Sequence, residues 1–573
     1  MKIKSLLYMA VAAAAVSLPS CNDFLDKLPD NRVDPETPDQ LLLMLVDGYS
    51  TGNYAKYCEL SGDNIIDNNS PDENGVRYNL EAYDVIDDEM FAWEDAVSSM
   101  DTDSPSSIWE GAYHGIAVAN HALQLIDQWR AEGREFSEED EAKLAAAEAE
   151  AYLVRAYNHF VLVNVFAMPY GANSETDLGV PYVTEPETEV LVHYQRNTVK
   201  EVYDRIEEDL LKGLAGVVDT YYDVPKYHFN SKAANAFAAR FYLFKRQYDK
   251  VIQYADAVLG AGTATAPTMM RDYWATNYSN ADANMQAYVS AESQSNLMLV
   301  ATYSSFWRTI GTGTRYGVNR DAATETLYGW GPTWSNTGYI LHPCYIGKLY
   351  INGTQEYGVY FLKLGEFFEY TDKVAGIGYV HMVRTEFTAE ETLLCRAEAK
   401  IYTGDIPGAV ADLKVWDDSR KNLPAKYTFE DLTDELIRSY YDENTHQTPA
   451  NEYDPRPGVF KKLHIDEICP SDKYSLTADK LPYIYCLLHF RRIETIFDGY
   501  RWFDIKRYGI EITHKIGRTR VETLTMEDPR RALQIPAEVI SAGMQGNNRF
   551  PLVDGNTSGG YIKYTGSYKV SNK

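Results

Sequence analysis

After its opening segment the chain has no apolar run long enough to cross a membrane, since a spanning helix needs about 20 consecutive apolar residues. It has no HExxH, no P-loop and no CxxC pair. Gly311-Thr312-Gly313 followed by Gly317 misses the dinucleotide-binding spacing. The six cysteines, Cys21, Cys58, Cys344, Cys395, Cys469 and Cys486, are too scattered for a zinc cage or a disulfide framework. No cofactor, metal centre or catalytic machinery is therefore expected. Positive charge is scarce too: 54 Lys and Arg against 83 Asp and Glu give a formal charge of -29. Such a surface repels phosphate backbones, so no nucleic-acid partner is expected.

What the chain does have begins at residue 1. Lys2 and Lys4 precede an apolar stretch over residues 5–18, and Leu18-Pro19-Ser20 leads directly to Cys21. That order predicts a secretory signal over residues 1–20 and a lipid attached at Cys21, anchoring the protein without a transmembrane helix. Losing Lys2 and Lys4 with the signal takes the charge from -29 to -31.

Aromatic side chains are abundant, with 45 Tyr and 9 Trp. Two stretches carry helical periodicity, residues 107–260 and 388–510. Trp109, Tyr113, Ile116, Asn120 and Leu123 recur at three- and four-residue spacing, as do Ala149, Leu153, Ala156, Phe160 and Val163. Thr198-Val199-Lys200-Glu201 and Thr388-Ala389-Glu390-Glu391 read as capping boxes. A weak repeat aligns Ala397 with Ala239, Tyr402 with Phe244, and Ala409 with Val251, the pattern of paired-helix repeats. Cys395 and Cys486 fall among apolar helical residues and read as core positions. Residues 50–106 and 261–387 are instead rich in Gly, Ser, Asn and Tyr, with β-prone pieces at 297–303 and 379–385. Long irregular segments inside a large domain are usually functional, and their aromatics argue against disorder.

Four motifs in order resemble the SusD/RagB family of outer-membrane nutrient-binding lipoproteins. Cys21-Asn22-Asp23-Phe24-Leu25-Asp26 resembles its opening. Ala147-Glu148-Ala149-Glu150-Ala151, through Arg155-Ala156-Tyr157 to Phe166 and Pro169-Tyr170, is similar to its most recognisable helix. Arg396-Ala397-Glu398-Ala399 resembles a later repeat helix. Arg491-Arg492-Ile493-Glu494, with Asp498-Gly499-Tyr500-Arg501-Trp502-Phe503-Asp504-Ile505-Lys506-Arg507, resembles the C-terminal signature. The tail departs from the pattern: Leu533-Gln534-Ile535-Pro536 is kept, but residues 543–551 lack the Asn-Pro step. The resemblance implies a mainly α fold, a tetratricopeptide-like helix-pair scaffold with a loop-rich, partly β ligand-binding region. It also implies one SusD-like domain over 21–573, a SusC-like TonB-dependent transporter as partner, and an outer-membrane location facing outward.

Charged residues of the signature, Arg492, Glu494, Arg501, Asp504 and Arg507, read as structural ion pairs, and Trp109 and Trp502 as core. Gly48-Tyr49-Ser50-Thr51-Gly52 matches GxSxG, but a helical pattern precedes it and 53–57 show no helix start, so a helix-ending loop is expected. Asp63, Asp67, Asp72 and Glu73 could gather around calcium, but their spacing does not fit the EF-hand loop, nor does that of Asp101 and Asp103, so a solvated acidic loop is expected, with calcium as the alternative. For ligand contact the aromatics of the irregular regions are the candidates: Tyr83, Trp93, Trp274, Tyr278, Trp307, Arg308, Tyr316, Asn319, Trp330 and Trp334. Sugar rings stack their C–H faces on Trp and Tyr and need polar groups beside them. The expected function is glycan capture without catalysis. The alternatives are peptide or glycopeptide cargo, a non-binding helical scaffold, and a glycosidase with two carboxylates at catalytic separation.

Overall fold

The structure is a computed structural model, and it describes residues 35–549 except 72–74, 76, 83, 188–192, 274–280, 311–313, 327–328, 335–343, 352–353, 362, 364, 422–429 and 445–454. Cys21 and the signal segment thus lie outside the described residues, as do Asp72, Glu73 and positions 550–551 of the tail.

Side-chain caps start the long helices. Thr37 caps α1 (Pro38–Leu45) by accepting from Gln40 N. Ser104 caps α2 (Pro105–Ala131), with Pro105 in the first turn where its missing N–H costs nothing. Ser137 caps α3 (Glu138–Phe166), whose first turn carries Glu138, Glu139, Asp140 and Glu141 against the helix dipole. This cap and charge cluster start α3 seven residues before the apolar pattern at 145 does. At α4 (Val199–Gly216) both halves of the capping box form between Thr198 and Glu201. The crossing of α4 over α3 is close enough to require Gly213, whose added Cβ would stand 2.4 Å from Leu153 Cγ.

The expected repeat is two stacked helix hairpins. They are α5 (Ser231–Phe244) with α6 (Tyr248–Leu259), and α7 (Ala389–Thr403) with α8 (Ile406–Arg420). Helix α6 packs on α7, and the rings of Tyr248 and Tyr402 stack with centroids 4.5 Å apart. Both turns contain a left-handed residue, Arg246 at φ 52° and Gly404 at φ 89°. Between the hairpins lies a three-stranded antiparallel sheet in the order β1 (Asn296–Thr302), β3 (Ile377–Thr388), β2 (Glu366–Asp372). Thr388 ends β3 and caps α7, so sheet and scaffold join without a loop. The two β-prone pieces of the sequence are therefore neighbouring strands. Further hairpins pair Cys344–Ile351 with Thr354–Phe361 and Ile512–Ile516 with Arg520–Leu524.

One core runs through both helical stretches. Trp109 and Trp502 are buried in it, and the thiols of Cys395 and Cys486 are fully buried. The C-terminal signature, helices α9 (Leu481–Glu494) and α10 (Tyr500–Tyr508), is held by buried ion pairs. Arg491 reaches Asp504 at 3.0 Å, and Arg507 bridges Glu398 at 2.8 Å and Asp504 at 2.7 Å. Glu494 accepts from Trp416 Nε1 at 2.8 Å and pairs with Arg420. The tail is fastened as well: Asn547 donates through Nδ2 to the carbonyls of Phe166 and Leu533, each at 2.8 Å.

Two details differ from the sequence reading. A helix does start within 53–57, Ala55–Ser61, where Asn53 Oδ1 accepts from Ala55 N at 2.9 Å. The GxSxG segment still follows α1 and a single 3-10 turn, not a strand, so no nucleophile elbow forms. Asp63 and Asp67 are not solvated acids but are committed to arginines, Asp63 to Arg501 and Asp67 to Arg315 at 3.0 Å. Asp103 is buried and accepts from Ser304 Oγ at 2.6 Å and Ser305 N at 2.7 Å.

Candidate functional site

Most of the candidate aromatics among the described residues are used for packing. Trp93 is 4% exposed, holds a left-handed backbone, and donates from Nε1 to Ser61 O at 2.9 Å. Its ring lies 4.0 Å from that of His514, which stacks on Phe91 at 4.2 Å. Phe91 in turn meets Tyr316 at 4.7 Å, and the Tyr316 hydroxyl is tied to Asp88. Trp93 and Tyr316 are thus brought together, but as the two ends of a closed stack that seals the Ile512–Ile516 hairpin onto the loop region. Trp334 is 6% exposed, bonds Gly329 O through Nε1 at 3.1 Å, and sits against His489 and Phe490. Trp330 is partly buried and fixed to Tyr440 through its carbonyl. Asn319 caps a short helix by accepting from Ala322 N at 3.0 Å. Tyr83, Trp274 and Tyr278 lie outside the described residues.

Trp307 and Arg308 lead to a different surface. They lie on the short helix Phe306–Ile310, just beyond β1, where Trp307 is half-buried against the core. Arg308 Nε spans both carboxylate oxygens of Glu366 at 2.9 and 3.0 Å, which ties this helix to β2. The sheet beside it presents an aromatic face. Side chains two apart on a strand share a face, and the register pairs Phe367 with His381, Glu369 with Tyr379, and Ala301 with Val383. Phe367, Glu369, Tyr379, His381 and Tyr303 therefore point to one side. Tyr303 is 40% exposed and meets Tyr379 edge to face at 4.9 Å. The ring centroids of Phe367 and His381 are 5.7 Å apart. The Tyr379 hydroxyl bonds to Glu369 and Tyr303, and the neighbouring Glu369 carboxylate lifts it to about 12, so it stays a neutral donor.

On the opposite side of the hairpin Phe368 and Tyr370 are about half exposed and lie 4.8 Å apart. The Phe368 ring occupies the space above Gly378, whose added Cβ would stand 2.8 Å from Phe368 Cε1. Phe368 and Tyr370 thus leave aromatic surface exposed on this side of the hairpin. Tyr303 is rigidly placed, because its N–H donates to Thr51 O at 2.8 Å across a bridge between Gly52 and Tyr303.

A separate cleft of about 440 Å³ opens where α3 ends, between Met168–Pro169, Asn173–Asp177, Glu467–Ile468 and Met526–Glu527. It carries no aromatic ring. Among the described residues no group of His, Cys, Asp and Glu is arranged to hold a metal, and no helix is long and apolar enough to cross a membrane.

The architecture is a helix-pair scaffold that carries a small antiparallel sheet with aromatic side chains. Residues 23–243 match the SusD-like family model described as "Starch-binding associating with outer membrane", and the chain shares the fold of solved SusD superfamily structures. Solved structures with the same fold include a SusD superfamily protein from Bacteroides vulgatus, 18% identical, with a TM-score of 0.57 over 90% of this chain and 99% of that one. A second, from Bacteroides thetaiotaomicron, is 18% identical with a TM-score of 0.56 over 90% of this chain and 100% of that one. A putative sugar binding protein from Bacteroides vulgatus is 16% identical, with a TM-score of 0.56 over 90% of this chain and 99% of that one. No curated protein matches the chain.

Proposed function

We propose that the chain is a glycan-binding lipoprotein that captures oligosaccharide outside the outer membrane and hands it to a SusC-like TonB-dependent transporter. The observation that carries this reading is the face shared by Tyr303, Phe367, Tyr379 and His381 with Glu369, on which Tyr303 and Glu369 are exposed and the other three are half-buried. It combines apolar rings for sugar C–H faces with a carboxylate and hydroxyls for sugar O–H groups, which is what carbohydrate recognition needs. The family model's description, starch-binding and outer-membrane association, supports both cargo and place. The basic and apolar segment before Cys21 supports a lipid anchor. An anchored capture protein held at a pore works with modest affinity, because tethering raises its effective concentration. Catalysis has no part in this reading.

The test is a screen of the soluble chain, starting after Cys21, against a polysaccharide panel by affinity electrophoresis. Retardation by a glycan without its hydrolysis supports the reading, and co-purification of the full-length protein with a large outer-membrane barrel tests the partner. No retardation across the panel overturns glycan capture.

A further inference from the structure

The charge of the aromatic face sets the class of sugar it accepts. Glu369 stands directly across from Tyr379 in the sheet register, where opposed Cβ atoms are about 5 Å apart. Any ring stacked on Tyr379 lies beside that carboxylate. Among the described residues no lysine or arginine forms an ion pair with Glu369, and the imidazole of His381 shares the face. Arg308 holds both oxygens of Glu366. Lys373 lies in the turn of the hairpin, after the strand that carries Glu369. Asp372, at the same turn, is committed to Val374 N at 2.8 Å and Ala375 N at 2.9 Å. The face therefore offers a carboxylate acceptor that, among the described residues, is not neutralised by a lysine or arginine ion pair.

We propose, resting on the glycan-binding reading above, that Glu369 makes this face selective for neutral glycans. It accepts sugar hydroxyls and repels uronic acids and sulfated sugars. A carboxylate is a strong acceptor for O–H donors. A carboxylate about 5 Å from a ligand carboxylate opposes it by roughly 4-fold in affinity at the dielectric constant of water and by on the order of 300-fold at the value of about 20 for a protein surface. The discrimination is electrostatic and relaxes as salt rises.

The experiment uses amylose, a mixed-linkage β-glucan and galactan, each also in a form oxidised at C6 to the carboxylate, against the soluble chain starting after Cys21. The wild type is expected to bind at least one neutral polymer about tenfold or more tightly than its oxidised form at 50 mM salt, with the ratio shrinking at 500 mM. Glu369→Gln, which keeps a partner for Tyr379, should bring that ratio below about threefold. A Tyr303→Ala/Tyr379→Ala variant separates the two claims. If it loses binding but Glu369→Gln leaves the ratio unchanged, charge selection is wrong and the aromatic face stands. If it binds as the wild type does, the face is not the site and both claims fail. Tighter binding of an oxidised polymer, or binding of none of the six, also overturns the proposal.

Discussion

The guanidinium of Arg501 closes on both oxygens of Asp63, at 2.7 and 2.8 Å, across 438 residues of sequence. Arg492 reinforces the junction from α9, donating to Asn64 Oδ1 at 2.8 Å and Asp63 O at 2.7 Å. The C-terminal signature thus clamps the loop region at 50–106 onto the scaffold. Burial opposes the ionised Asp63, but Arg492 and Arg501 outweigh it and hold its carboxyl well below the usual range. Removing one partner leaves the other charged and buried, so Arg501→Ala is expected to cost about 3–5 kcal/mol in urea unfolding. Arg501→Lys should recover little, because an ammonium cannot span both oxygens. A loss below about 1 kcal/mol would show that the clamp does not hold the two parts together.

Glu59 gives the fold a pH dependence. Burial lifts it from 4.5 to about 7, against hydrogen bonds from Asn64 Nδ2 at 3.1 Å and Gly499 N at 3.0 Å. The folded state therefore holds this proton more tightly than the unfolded chain. Its contribution is complete below pH 4.5, shrinks as pH rises to about 7, and is level above that. The change is on the order of 3 kcal/mol. Glu59→Gln should flatten the urea midpoint across this window. An unchanged slope would mean that Glu59 does not titrate there.

The two repeat turns should respond differently to substitution. Gly404 has open space around an added Cβ, so Gly404→Ala meets only the left-handed backbone penalty, about 1 kcal/mol. Arg246 accepts the same conformation because its guanidinium is anchored to Asp466 at 2.9 Å and to the carbonyls of Ile465 and Cys469. Arg246→Gly relaxes the backbone but loses that anchor. It should destabilise more than Gly404→Ala, as read from thermal midpoints.

The tryptophans sort by role in the same way. Trp93→Ala and Trp334→Ala remove buried rings and should each lower stability by about 3–5 kcal/mol. The fraction that stays folded should bind glycan as the wild type does. Loss of binding with unchanged stability in either variant would return that ring to the site.

The scaffold was legible because its signals are local. Caps at Thr198 and Thr388, the 3.6-residue period and the alignment of residue 397 with 239 each depend on a few neighbouring side chains. Extending that alignment places Gly404 on Arg246, the two left-handed turns, a match masked by the unlike side chains. The proposed face was not legible, because it depends on which way each aromatic points. Trp93 and Trp334 look like ligand platforms in a loop-rich sequence, yet one is folded beneath His514 and the other beside Phe490. In Glu366-Phe367-Phe368-Glu369-Tyr370 aromatics face both sides of the hairpin, so the period of two that would mark a face is hidden. Only the pairing of β2 with β3, and Tyr303 arriving from β1, show which rings share one surface.

Calorimetry on Tyr303→Ala/Tyr379→Ala, titrated with whichever oligosaccharide the wild type retains, tests the central claim most directly. Both side chains stand at the surface, so the thermal midpoint should stay within about 2 °C of wild type. The account predicts a loss of affinity of about tenfold or more, since two stacking rings are removed. Wild-type affinity in a variant that melts normally would contradict it.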